Sequence, residues 1–196
     1  MGPRKQMTIV MAIAILFTLG GCRGQTKQSA QPTSEWKEDF LPFTDQILKT
    51  TSFAPLRGKA ASTCDLNLRV WVGFGLKATE AYFIERNGHV WTAAYLRQAL
   101  RPGEPTQVER LPPDGWVRSL WDRLLKAGIL SLVESDRTPP MTPDGTQVVI
   151  ELCRHGLYKA VLSGDPFVHA TPAANRALAV TAILEHQIGD RLPVRK

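Results

Sequence analysis

Glycines near the middle of the chain match a motif with a known chemical role. The segment 73–78, GFGLKA, fits the Gly-x-Gly-x-x-Ala pattern of a dinucleotide-binding turn. That turn requires a following helix, whose N-terminus holds the pyrophosphate, and an acidic residue about 20 positions later. Here a strand pattern follows the glycines, and Thr92, Ala93 and Ala94 stand where the acidic residue would be needed. We therefore predict no nucleotide cofactor and interpret the glycines as allowing a bend or close packing in a strand.

Metal-binding and nucleophilic residue types occur without the spacing that such sites need. Cys153 and His155 could supply two metal ligands, although a disulfide at Cys153 would remove one. Ser163 does not lie in the Gly-x-Ser-x-Gly motif of serine hydrolases. No pair of histidines forms His-x-x-x-His among His89, His155, His169 and His186. We predict no metal site and interpret these histidines as turn and surface residues.

Acidic residues on the predicted strands are the remaining candidates for catalysis. Glu80, Glu85 and Glu151 could pair across neighbouring strands. A hydrolase acting on a cell-wall polymer needs two carboxylates at a set separation, and sequence alone does not determine that distance. Acidic side chains on strands more commonly face solvent. The sequence therefore predicts no catalytic residue and no cofactor.

The first 22 residues, MGPRKQMTIVMAIAILFTLGGC, have the parts of an export signal. Arg4 and Lys5 form a basic start, and an apolar run of about 14 residues follows. This run is shorter than the roughly 20 residues that cross a bilayer as a helix. The segment then ends in a leucine, two small residues and a cysteine: Leu19, Gly20, Gly21 and Cys22. This ending resembles the lipobox of bacterial lipoproteins.

The resemblance to bacterial lipoproteins implies cleavage before Cys22 and a diacylglycerol on its sulfur. Two or three acyl chains, such as palmitate, would then anchor the chain stably to a membrane. Arg23 stands where an aspartate retains many Gram-negative lipoproteins in the inner membrane. The resemblance thus implies a cell-envelope protein, at the outer membrane and facing the periplasm if the host is Gram-negative. The alternatives are an ordinary signal peptide or an uncleaved anchor.

The charge of the chain argues against nucleic acid as a partner. Removal of Arg4 and Lys5 with the leader reduces the 24 basic residues to 22, against 18 acidic ones. This small surplus is spread along the sequence and lacks the clustered basic footprint of a nucleic-acid binder. It permits weak attraction to anionic lipid or to cell-wall polymer.

The chain contains three cysteines, an odd number for an exported protein. Lipidation of Cys22 would leave Cys64 and Cys153, and an oxidising compartment would join them if they are close. Cys64 precedes the first predicted strand and Cys153 ends the fourth. A disulfide requires these strand ends to meet, with α-carbons within about 7 Å. The alternative is two free, buried thiols.

Five strands and two helices follow from the hydrophobic patterns. Apolar residues alternate through the first strand, and Asn87-Gly88 predicts a type I′ hairpin turn. The strands are predicted over 66–76, 80–86, 89–96, 147–153 and 157–162. Prolines predict loops over 101–113 and 137–145. Apolar stripes and caps predict helices over 114–127 and 171–188.

The order β-β-β-α-β-β-α predicts an α+β fold. We expect a two-layer sandwich, in which two helices cover one face of a mainly antiparallel, five-stranded sheet. Residues 66–188 loosely resemble small α+β lipoprotein domains of unknown function. If the other sheet face is open, Trp71, Trp91 and Tyr95 would form an aromatic binding surface. The alternative is that residues 35–60 pack over the aromatic residues as a second small core.

The chain is expected to divide into five parts. These are a signal peptide over 1–21, a lipidated tether over 22–34, an irregular or short helical segment over 35–60, an α+β domain over 61–190 and a basic tail over 191–196. We predict a non-catalytic, membrane-tethered binding domain, with an envelope protein or polymer as its unidentified partner. The alternatives are an inhibitor-like module acting on an envelope or extracellular enzyme, and a cell-wall hydrolase.

Overall fold

A computed structural model describes residues 36–58, 62–73, 78–98, 104–113, 115–132, 146–164, 166 and 171–193. Its elements, in chain order, are α1 (Trp36–Lys49), β1 (Leu66–Gly73), β2 (Thr79–Asn87), β3 (Val90–Gln98), β4 (Gln107–Leu111), α2 (Gly115–Lys126), a 3-10 turn (Ile129–Ser131), β5 (Gln147–Arg154), β6 (Leu157–Gly164) and α3 (Pro172–Gly189). The predicted signal peptide, the tether, the Asp114 cap and the loop over 137–145 lie outside the described residues. None of the described helices is long and apolar enough to cross a membrane.

The strands form one antiparallel sheet in the order β4-β3-β2-β1-β5-β6. The α+β class and the antiparallel sheet are therefore confirmed, whereas five strands and the predicted element order are wrong. The additional strand, β4, lies in the segment predicted as a loop. Its prolines, at positions 102, 105, 112 and 113, flank the strand and do not interrupt it. A five-residue edge strand fits between them.

The described part of β1 covers 66–73 of the strand predicted over 66–76, and residues 74–76 lie outside the described residues. Gly73 is its last residue and adopts a φ of +120°. A Cβ at this position would lie 2.7 Å from the carbonyl oxygen of Ala78. Glycine is therefore required by both the backbone angle and the close approach of the chain, as the bend interpretation of this segment anticipated.

Helices cover both faces of the sheet. α2 and α3 pack on one face, which we call the two-helix face, through residues that include Leu120, Leu124, Val180 and Leu184. On the opposite face, the α1 face, a second core contains Phe40, Ile47, Leu48, Phe53, Trp71, Phe83, Leu96 and Val149. The two-layer sandwich is therefore wrong: the domain has three layers. The strands are apolar on both faces, so each face requires a cover.

The layer formed by α1 comes from the segment over 35–60, which was predicted to be irregular or to form a short helix. α1 spans Trp36–Lys49 even though it contains Pro42, which cannot donate a backbone hydrogen bond. Phe40, Ile47 and Leu48 are buried against the sheet. We attribute the longer helix to this packing, since tertiary burial of an apolar face contributes more to helix stability than intrinsic propensity does.

Candidate functional site at the hairpin end of the sheet

The predicted aromatic surface does not form, because its members lie on opposite faces of the sheet. Trp71 is fully buried on the α1 face, with the ring of Phe40 packed edge-on at 6.5 Å. Tyr95 is buried on the two-helix face, and Trp91 is half-buried there beside Trp121, at 6.3 Å. Register explains the error. Tyr95 aligns through β2 with Val70 of β1, so the neighbouring Trp71 points the other way.

Trp71 belongs to a buried polar cluster beneath α1. Its indole Nε1 donates to Oε2 of Glu151, and the hydroxyl of Tyr158 donates to Oε1, both at 2.8 Å. Burial, followed by the adjacent Glu151 carboxylate, raises the pKa of Tyr158 above its ordinary range. Arg69 is the register partner of Glu151 on β1 and is also buried. Trp71, Arg69 and Glu151 are buried and Tyr158 is half-buried, so these residues connect α1 to the sheet.

Arg69 fixes the segment after α1 onto the sheet. Its Nη2 donates to the carbonyl oxygen of Ala54 at 2.5 Å, and its guanidinium lies 5.4 Å from the ring of Phe83. Phe53 stacks on Phe83 with ring centroids 4.4 Å apart, and Arg110 covers the outer face of Phe53 at 4.8 Å. Burial lowers the pKa of Arg69 and the nearby Glu151 opposes that shift. Two stacked rings, each with a guanidinium beside it, therefore hold this segment on the α1 face.

The carboxylates considered for hydrolysis are separated by the fold. Glu151 is engaged in the buried cluster, and Glu85 accepts a hydrogen bond from Nδ2 of Asn67 at 2.8 Å. Glu80 lies 3.8 Å from Arg97, on the two-helix face. Burial, followed by the proximity of Glu80, raises the pKa of Glu185 on α3. Among the described residues, no three or more histidine, cysteine or acidic side chains are placed to hold a metal ion.

Two hairpin turns and the start of β1 come together at one end of the sheet. β1 is antiparallel to both β2 and β5, so Leu66 aligns with Arg86 and with Arg154. The end of β2 and the end of β5 therefore lie beside the beginning of β1. We use the name hairpin end for Asp65 together with the turn residues 87–90 and 154–157.

Both turns have the backbone angles of tight hairpins. Gly88 adopts a φ of +60°, and Gly156 a φ of +78°. His155 adopts a φ of +48° and is alone among the described non-glycine residues in having a positive φ. Two successive positive φ values are those of a type I′ turn, and they carry a strain at His155 that glycine would avoid. The predicted hairpins are therefore present, and His155 is exposed at the tip of one. The type I′ turn predicted at Asn87-Gly88 is wrong: Asn87 pairs with Val90 as a strand residue, and in the Gly88-His89 turn only the glycine has a positive φ.

Asp65 ties the two turns to β1. Its carboxylate accepts hydrogen bonds from Nε and Nη2 of Arg86, at 2.8 and 2.5 Å. Its backbone carbonyl accepts the amide of His155 at 2.9 Å, and the carbonyl of Cys64 accepts the amide of Gly156 at 3.2 Å. The paired Arg86 guanidinium is the main reason that the pKa of Asp65 lies below its ordinary value. One acidic residue thus braces both hairpins.

The cysteine pair lies at the same end. Cys64 and Cys153 are placed at disulfide distance, with α-carbons 6.3 Å apart. This geometry meets the condition that the sequence set for a bridge, since α-carbons joined by a disulfide are usually 4.4–6.8 Å apart. A bridge here would connect the segment just before β1 to the end of β5.

The braced turns present apolar side chains to solvent. Leu157 is 78% exposed and Val90 is 58% exposed, the highest values among the large apolar residues that the structure describes. Arg154, His89 and His155 are also exposed. Val90 and Leu157 stand four strand positions apart, which corresponds to about 19 Å. The sequence predicted both turns but not this surface, because strand order determines that the two turns lie at the same end of the sheet.

Comparison with known proteins adds no further constraint on the function of this site. No protein-family model matches the chain, and no curated protein resembles it closely enough to count as a match. The site is defined by its own geometry: a rigid sheet end with apolar tips and exposed basic side chains. Such a surface is suited to contact with another surface.

Proposed function

We propose that the chain is an exported bacterial lipoprotein, anchored by lipid on Cys22, whose folded domain is a non-catalytic binding module. It would act in the cell envelope, at the outer membrane and facing the periplasm in a Gram-negative host. The observation that carries the anchoring is Leu-Gly-Gly-Cys directly after a basic and apolar leader. The pairing of Cys64 with Cys153 supports export, because disulfides persist in oxidising compartments.

The binding role is supported by the hairpin end. A single exposed apolar residue is common on protein surfaces. Two of them on braced turns, however, form a preorganised contact surface. The inhibitor-like alternative would use the same turns, inserted into an enzyme cleft. The hydrolase alternative would need two carboxylates facing one cleft, and Glu151 is buried and hydrogen-bonded.

Anchoring is tested by metabolic labelling of the full chain with a clickable fatty acid. Cys22→Ala should abolish the label and leave an unprocessed precursor. The matched control replaces both Cys64 and Cys153 by alanine and should retain the label, because their sulfurs are not the acceptor. Undiminished labelling of the Cys22 variant would overturn the proposal of lipidation.

Binding is tested by a photo-crosslinking amino acid placed in the full chain, in living cells. At position 157 it should form adducts, because this side chain is the most exposed apolar group of the hairpin end. The control position is 125, an exposed leucine on α2. Equal adduct formation at both positions, or none at 157, would contradict a binding role for the hairpin end.

A further inference from the structure

We propose that the hairpin end rests on the anionic surface of the membrane that carries the lipid anchor. This inference depends on the proposed function, because the anchor keeps that surface within reach. Thirteen residues separate Cys22 from Trp36, and such a segment can span at most about 45 Å. A partner held this close is present at a high effective concentration, so a weak contact suffices.

The apolar tips fit the region between lipid headgroups and acyl chains. Leu157 and Val90 project from opposite faces of the sheet. Leu157 aligns through Arg154 with Leu66, which faces the two helices. Val90 aligns with Asn87, one residue beyond Arg86, the partner of Leu66, and therefore projects from the other face. Both tips can touch one plane only if the sheet stands with its hairpin end toward the bilayer. Burial of apolar area would then favour contact at both tips.

An exposed arginine at the hairpin end, Arg154, favours an anionic surface. Asp65 is paired with Arg86, so the charges of these two residues balance each other. Glu85 keeps its charge, because its partner is the neutral Asn67 amide, but it lies on β2 outside the turn residues. Arg154 is exposed beside Leu157 and forms no ion pair within the described part of the chain. An arginine can bury its aliphatic stem while its guanidinium stays among phosphates. Basic residues near the surface of a membrane are attracted to anionic lipid.

The rigidity of the site reduces the cost of binding. The two turns are braced by Asp65 and by the Cys64–Cys153 pair, so they need little ordering when they meet a surface. Binding surfaces that are already ordered lose less conformational entropy on association. Contact through the hairpin end would also orient the domain, with its strands steeply inclined to the membrane plane.

The test uses an unlipidated chain of residues 23–196, which retains every described contact because all of them lie between residues 36 and 193. The chain is sedimented with vesicles of phosphatidylcholine alone or mixed with phosphatidylglycerol. We expect binding to the mixed vesicles and weaker binding to phosphatidylcholine alone. Leu157→Glu should reduce partitioning about tenfold, equivalent to about 1.4 kcal/mol. Arg154→Gln should reduce binding to the mixed vesicles and leave binding to phosphatidylcholine unchanged.

The matched control is Leu125→Glu, which adds the same charge at an exposed leucine on α2 and should bind as the wild type does. Near-ultraviolet circular dichroism verifies that each variant is folded. The proposal is overturned if the wild type does not bind mixed vesicles, if both leucine variants lose binding equally, or if neither does. It is also overturned if cross-links from position 157 are to a protein and not to lipid. Because this chain lacks Cys22, the result is independent of whether lipidation occurs.

Discussion

A single acidic residue organises the hairpin end. Asp65 receives two hydrogen bonds from one guanidinium, a geometry that is stronger and more directional than a single ion contact. Its backbone carbonyl also holds the amide of His155, in the turn with the strained backbone. The side chain and the backbone of one residue therefore brace two turns that are far apart in sequence. The proposed surface depends on this arrangement as well as on its exposed residues.

We predict that Asp65→Asn destabilises the domain at neutral pH and has little effect in acid. The folded pKa of Asp65 lies below its ordinary value of 3.8, so its carboxylate contributes stability above that value. This contribution is lost as the pH falls through the lowered folded pKa. Urea unfolding midpoints at neutral and strongly acidic pH measure the difference. Asp122→Asn, at an exposed acid on α2, is the control; a similar pH profile for both variants would show that Asp65 has no special role.

At the scale of elements, local signals predicted α2, α3 and the hairpins well. α3 spans Pro172–Gly189, and the Thr171 side chain accepts the amide of Ala174 at 3.0 Å, as the cap sequence indicated. Strand order, α1 and β4 were not predictable in the same way. A proline inside a helix and prolines around a strand both argue locally against those elements, and only packing on the sheet overrides them.

The buried polar residues account for the remaining error. Arg69 and Glu151 occupy alternate positions that sequence reasoning assigns to solvent, yet they lie beneath α1. A charged side chain at such a position normally marks an open face, since burial of a charge costs several kcal/mol unless it is paired. Here the hydrogen bonds to Glu151 and the contact of Arg69 with Ala54 offset part of that cost. Trp71 was consequently assigned to an open surface.

We predict that Leu124→Ala lowers the free energy of unfolding by about 2–5 kcal/mol. Leu124 is fully buried between α2 and the sheet, whereas its neighbour Leu125 is 38% exposed. Leu125→Ala should therefore change stability by less than about 1 kcal/mol. Denaturant unfolding of the two variants measures both values. Equal destabilisation by the two substitutions would show that the buried face of α2 has been wrongly assigned.

At the scale of the whole molecule, the described residues form a three-layer domain with a cysteine pair at disulfide distance at one end. Cys64 and Cys153 are 89 residues apart, and the segment between them contains β1 to β4, α2 and nearly all of β5. The pair is therefore separated by most of the sheet in sequence and lies at adjacent strand ends in space. A disulfide between these cysteines would hold the beginning of β1 against the end of β5, where the hairpin end is formed. Stability and the proposed surface are thereby coupled.

We predict that the unlipidated chain of residues 23–196 shows no reactive thiol when denatured without reductant, and two after reduction. Closing a loop of this length stabilises the folded state by about 4–5 kcal/mol on the chain-entropy model. Replacement of both Cys64 and Cys153 by serine should lower stability by up to that amount. Reductant should destabilise the wild type and leave the double variant unchanged, since only the wild type has a bond to lose. Two reactive thiols in the denatured, unreduced wild type would refute the bridge and remove one of the two braces at the hairpin end.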